Sequence, residues 1–103
     1  MKVVYNDEYG GFSWPDEICQ KFGIHWNGYD RSNRTNPDII AALEAYLSTY
    51  PDCDLRVTDI PDEATDWMIV DYDGIETVYC VIDGKLYYID DDDELGKAGG
   101  AIE

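Results

Sequence analysis

The sequence predicts an α+β fold: an antiparallel sheet of about four to five strands with two helices packed on one face. Three observations carry that expectation. Residues 67–89 alternate around two Asp-Gly pairs, Asp73-Gly74 and Asp83-Gly84, and a two-residue Asp-Gly loop signals a hairpin because its type I′ turn needs positive φ at both positions. Asn36-Pro37 opens a segment whose apolar residues recur every three or four positions, as one helical face requires. Residues 2–5 and 55–60 are short β-branched or alternating runs that suit strands.

Taken in order, residues 2–5 give a strand that Gly10-Gly11 interrupts. A helix start follows: Ser13 or Trp14 precedes Pro15, and Asp16 and Glu17 fall in the first turn, where the helix dipole favours anions. Ile18 and Phe22 lie one turn apart, and Gly23 ends this helix of about two turns. Residues 24–35 have no period and are expected as a loop, longer than most connections, serving either function or packing. That loop holds His25, Trp26, Tyr29, Arg31 and Arg34. The strongest helix then runs from an Asn36 N-cap, with Pro37 at its first position, to Tyr50-Pro51. Its stripe is Ile39, Ile40, Leu43, Tyr46 and Leu47. Leu55 and Val57 alternate with Arg56 and Thr58 in a half-buried strand, and Pro61-Asp62 turns the chain toward the hairpins.

If both Asp-Gly turns are two-residue loops, Tyr72 pairs with Ile75 and Ile82 with Lys85. One face then carries Trp67, Ile69, Val78, Cys80, Ile82, Tyr87 and Ile89. The other carries Met68, Val70, Tyr72, Ile75, Tyr79, Val81, Leu86 and Tyr88. Two apolar faces are unusual for an antiparallel sheet, and two helices cover only one. The tyrosine-rich face, with Tyr72, Tyr79 and Tyr88, is the candidate interface, unless the long loop or the tail folds over it. The same register sets Asp71 opposite Glu76 and beside Asp73, an unfavourable like-charge pair. Either a cation or a partner's arginine sits there, or the strand end is simply solvated.

Charge bounds the function. Among 103 residues, 23 acids face 7 bases, a formal net charge of −16. That field repels nucleic acid, free nucleotides and anionic lipid and attracts basic proteins or cations; its bland explanation is solubility. The length suits one domain, expected over residues 1–94, with a flexible glycine-rich tail at 95–103. Three separated cysteines argue against a disulfide framework, residues 1–11 lack a signal-peptide core, and no run approaches a membrane span, so a reducing cytoplasm is expected.

Motifs for chemistry are missing. Cys19 and His25 lack any meaningful catalytic spacing, and no Cys or His pair suits zinc. An EF-hand loop begun at Asp90 would need Gly where Leu95 stands and Glu where Ala101 stands. No cofactor or metal is expected, and no enzyme.

The segments Lys2-Val3-Val4-Tyr5-Asn6, Tyr9-Gly10-Gly11-Phe12-Ser13, Arg34-Thr35-Asn36-Pro37-Asp38, Ile60-Pro61-Asp62 and Tyr72-Asp73-Gly74 with Glu76 resemble a family of small phage and prophage proteins. The likeness spans most of residues 1–78, and Tyr-Gly-Gly-Phe-Ser is its most specific part. It implies a context rather than a chemistry. The chain departs from the family in Trp14-Pro15 and in its acidic end. Joined to the charge, that context leads to the expectation of an inhibitor of a basic, nucleic-acid-binding host defence protein, of anti-CRISPR or anti-restriction type, acting as an acidic DNA mimic. Alternate strand residues sit about 6.6 Å apart, a step close to that between phosphates. The expected partner-binding residues are Asp71, Tyr72, Asp73, Glu76, Tyr79, Asp83, Tyr88, Asp90, Asp91, Asp92 and Asp93. The other expectation is an interaction module, such as a homodimer through the apolar sheet face.

Overall fold

In the computed structural model, which describes residues 1–89 and 95–101, the apolar run after Met1 forms β1 (Lys2–Asn6). It pairs antiparallel with β2 (Leu55–Asp59), from Lys2 opposite Asp59 to Asn6 opposite Leu55. β1 lies between two apolar clusters, which explains a run of valines with no polar alternation. Val4 packs with Trp14, Ile18, Ile39, Ile40, Leu43 and Leu55 on one side. Val3 and Tyr5 pack with Ile60, Val78, Cys80 and Ile89 on the other.

The helices supply the first cluster. α1 (Asp16–Phe22) has Pro15 as its N-cap and no side-chain cap. Pro15 thus stands one place outside the helix, and its carbonyl accepts from the Ile18 and Cys19 amides, each at 3.0 Å. Gly23 closes α1 in the left-handed conformation, at φ 63°. Within the segment expected as a loop, Asp30 caps a single turn, α2 (Arg31–Arg34), by accepting from the Ser32 amide at 3.1 Å. α3 (Pro37–Thr49) starts as its sequence dictates: the Asn36 side chain accepts from the amides of Asp38 and Ile39, and Pro37 needs no partner. Its buried stripe, Ile39, Ile40 and Leu43, faces β1 and α1.

The second sheet has the order β3-β4-β5-β6. β3 (Asp66–Tyr72), β4 (Ile75–Ile82) and β5 (Lys85–Ile89) are two hairpins in the register that the Asp-Gly turns dictate, with Tyr72 opposite Ile75 and Ile82 opposite Lys85. Both residues of each turn have positive φ, 53° and 88° at Asp73-Gly74 and 52° and 74° at Asp83-Gly84. Within the stretch 95–103, expected as a flexible tail, β6 (Leu95–Ala101) runs antiparallel to β5. Residues 90–94, which include Asp90, Asp91, Asp92 and Asp93, lie outside the described residues.

The α+β class holds, but the single expected sheet is two. The helices cover the β1-β2 pair, and that pair covers one face of the four-stranded sheet through Val3 and Tyr5. The other face therefore receives no helix. Among the described residues no helix is long and apolar enough to cross a membrane.

Leu43 is fully buried where α3 meets α1 and β1. Leu43→Ala is expected to lower unfolding free energy by about 2–5 kcal/mol in urea denaturation, while exposed Glu44→Ala, which removes only a surface contact with Lys2, shifts it by less than about 1 kcal/mol.

Candidate functional site

Glu76 is the first residue of the predicted site to place, and it lies elsewhere than expected. It sits on β4 with its side chain on the inner face, 7% exposed. Arg34, at the end of α2, meets it in a two-pronged ion pair: Nη1 donates to Oε1 at 2.7 Å and Nη2 to Oε2 at 2.9 Å. Both side chains are 6% exposed. Of the alternatives for the like-charge pair Asp71–Glu76, a solvated strand end does not hold for Glu76, and the arginine beside it is the chain's own rather than a partner's. Glu76 is thereby removed from any partner-facing rim, because a buried, paired carboxylate presents no charge to a docking surface.

Four further contacts lock this pair. The Asn6 amide donates to Glu76 Oε1 at 2.9 Å. Arg34 Nε donates to the Gly28 carbonyl at 3.0 Å and Nη1 to the Val4 carbonyl at 3.4 Å. The guanidinium carbon lies 3.9 Å from the Phe12 ring centroid, a cation–π contact. Gly28 must lack a side chain, since a Cβ there would collide with the Arg34 guanidinium and the Phe12 ring. Beside it, Asn6 Nδ2 donates to the carbonyls of Glu8, at 2.7 Å, and Gly74, at 2.6 Å. Gly74 in turn approaches Gly10 and Gly11 so closely that a Cβ would come 2.5 Å from the Gly11 nitrogen. The N-terminal strand, the glycine pair, the long loop and the first Asp-Gly turn thus converge on one ion pair.

The long loop is packed rather than loose. Its backbone is pinned by Trp14, whose amide donates to the Trp26 carbonyl at 2.7 Å. Within it the Asn27 amide donates to His25 Nδ1 and the Tyr29 amide to Asn27 Oδ1, both at 3.3 Å. Even so, the side chains of Trp26 and Tyr29 project outward. They border a cleft of about 470 Å³ lined also by Gly10, Phe12, Arg31, Asp71 and the Arg34–Glu76 pair.

The outer face of the four-stranded sheet is the second feature. Strand parity puts Met68, Val70, Tyr72, Ile75, Tyr79, Val81, Leu86 and Tyr88 on it, and direct cross-strand partners bring Met68, Tyr79 and Tyr88 into one row. None of these belongs to either core cluster. Tyr72 is 76% exposed, Val70 44% and Tyr88 38%. Loop 24–35 packs at the ion pair instead of over this face. Asp71 and Asp73 stand exposed at one end of β4, and Asp66 and Asp83 at the other. Asp71 Oδ1 accepts from the Gly74 amide at 2.8 Å, which ties it to its turn. Of the predicted site residues, Tyr72, Tyr79 and Tyr88 share a face, the turn residues Asp73 and Asp83 edge it, and Asp71 lies by parity on the opposite face with Glu76.

Thiol chemistry finds no support in the environment of Cys19. Its Sγ donates to the Trp14 carbonyl at 3.8 Å. Burial, and then the nearby Asp16 carboxylate, push its pKa up, opposite to the activation a nucleophile needs. Burial likewise pushes up Cys80, inside the second cluster. Among the described residues no group of three or more His, Cys, Asp or Glu side chains is placed to hold a metal. Compared with family models, curated proteins and solved structures, the chain matches none.

The two turn glycines separate close approach from backbone strain. Both have positive φ, but a Cβ on Gly84 meets nothing within 4 Å. Gly84→Ala is expected to lower stability by about 1 kcal/mol through strain alone. Gly74→Ala adds the collision with Gly10-Gly11, about 1–3 kcal/mol more. Equal losses in thermal denaturation would contradict the packing of the first turn on the glycine pair.

Proposed function

We propose that this protein is a phage or prophage inhibitor that docks its open sheet face on a basic, nucleic-acid-binding host defence protein, of restriction or CRISPR type, and competes with DNA there. The observation behind this reading is the uncovered row of Met68, Tyr79 and Tyr88, with Tyr72 and Leu86 beside it. Tyrosine supplies large, rigid contact area with a polar tip, and an apolar centre edged by charge is the usual anatomy of an interface. The edge here is acidic at both ends. Asp73 is separated from Asp83 by the length of β4, eight residues, about 26 Å at 3.3 Å per residue. With Glu76 neutralised by Arg34, mimicry of DNA takes the form of two acidic ends around a desolvated tyrosine centre, not an even ladder of carboxylates. The net charge of −16 steers a basic partner in and keeps nucleic acid itself out. The host cytoplasm is the compartment this reading requires.

A second reading has its own observation. β3 is the edge strand of its sheet, and edge strands with apolar residues pair readily with another chain. A homodimer pairing two β3 strands around Ile69 would set Asp71 opposite Trp67 of the copy and avoid like-charge contacts.

Kinetics with a captured host target test the first reading. The association rate is expected to fall about tenfold or more from low to physiological salt, and Tyr79→Ala with Tyr88→Ala to raise the dissociation rate by about tenfold or more. A salt-independent association rate would sink the mimicry. Light scattering that finds a stable dimer, kept on the same double substitution but lost on Val70→Lys in the edge strand β3, would favour the second reading instead.

A further inference from the structure

The cleft beside the ion pair lies on the inner side of the sheet, since Ile69, Asp71 and Glu76 share the parity opposite to Tyr72 and Tyr79. It is therefore independent of the docking face. We propose that this cleft is a binding site for a nucleobase, presented by an uncharged nucleoside.

Its walls supply the flat surfaces. Phe12, Trp26 and Tyr29 all line it. Trp26 is 57% exposed and Tyr29 89% exposed, although hydrogen bonds fix the backbone that carries them. Aromatic rings held out on a pinned loop suit stacking on a planar ligand, a sequence-tolerant contact that every base can make.

Its polar groups supply an edge. Arg34 has five N–H donors. One goes to Gly28, two to Val4 and Glu76 from Nη1, and one to Glu76 from Nη2. The remaining Nη2 N–H has no partner among the described residues, in a residue only 5% exposed. The side chain of Arg31, on the rim, makes no hydrogen bond or ion pair with the described residues. Opposite in character, Asp71 uses Oδ1 for the Gly74 amide and keeps Oδ2 as an acceptor. Two kinds of donor and one carboxylate acceptor between aromatic faces match a base edge, which carries carbonyl or ring-nitrogen acceptors beside an amino donor.

Charge selects the form of the ligand. Arg31 and Arg34 balance Asp71 and Glu76, so the lining is neutral within a chain of net charge −16. A neutral heterocycle enters such a cleft freely, while each phosphate attached to it meets the field of the whole molecule. The volume, about 470 Å³, falls in the range of small-molecule sites.

Titration of the full chain with adenosine, guanosine, cytidine and uridine, read by tryptophan fluorescence and by equilibrium dialysis, tests the assignment. At least one nucleoside is expected to bind with a dissociation constant below about 1 mM. Its triphosphate should bind about tenfold or more weakly at low salt. Trp26→Ala and Arg31→Ala should each weaken binding by about tenfold, with the thermal midpoint unchanged because both side chains are exposed. Tyr79→Ala, on the opposite face, should leave binding unchanged. No binding of any nucleoside in dialysis, or binding that survives Trp26→Ala, would overturn the proposal. A short single-stranded oligonucleotide that binds more tightly than the nucleosides would overturn it too, by moving the base to a charged strand.

Discussion

The Arg34–Glu76 ion pair is the constraint on which the rest of this structure depends. It joins α2 and the long loop to β4, and through the Val4 carbonyl and the Asn6 amide it also holds the end of β1. A buried pair of this kind need not be more stabilising than well-packed apolar residues would be, because both charges have left water. Its effect is on arrangement. Strand side chains alternate with a period of two, so a slip of one residue would turn Glu76 outward and the tyrosines inward. The ion pair fixes Glu76 on the inner face, and the two Asp-Gly turns carry that parity to β3 and β5.

From that parity the two surfaces follow. The inner face closes over Val3, Tyr5 and Ile60 as the second core. The outer face, with Met68, Tyr72, Tyr79 and Tyr88, is left to solvent or to a partner, because the helices are already occupied with the far side of the β1-β2 pair. The cleft is a by-product of the same pair. Gly28 lets the loop approach the guanidinium closely, and in doing so the loop presents Trp26 and Tyr29 beside Asp71. One ion pair thus sets an acid-edged apolar face on one side of the sheet and a neutral aromatic cleft on the other.

What was legible in the sequence was local. The Asn36 cap with Pro37, the α3 stripe, the Gly23 stop and both hairpin registers each depend on residues within a few positions of one another, and each forms as expected. The division into two sheets was not legible by the same means. Its only trace is Val3-Val4-Tyr5, apolar without alternation, as a strand between two cores must be. β6 carries no strand signal in its glycine-rich sequence. For the ion pair, arithmetic found one half: the register set Asp71 against Glu76, which left a cation, a partner's arginine or a solvated strand end as the alternatives. The other half lay 42 positions away in the chain, where no local pattern marks an arginine as buried. The exposed aromatic residues of the loop were visible, but not that they would flank Arg31 and Arg34 together.

A double-mutant cycle on the ion pair tests the central claim most directly. Arg34→Met and Glu76→Gln, the latter keeping an oxygen for the Asn6 amide, are each expected to lower unfolding free energy by about 3–5 kcal/mol by stranding the other charge in the interior. Together they should lose less than the sum of the two by about 2 kcal/mol or more, since the second substitution removes the stranded charge. Losses that add to within about 0.5 kcal/mol would contradict the pair as the joint between the helical layer and the sheet.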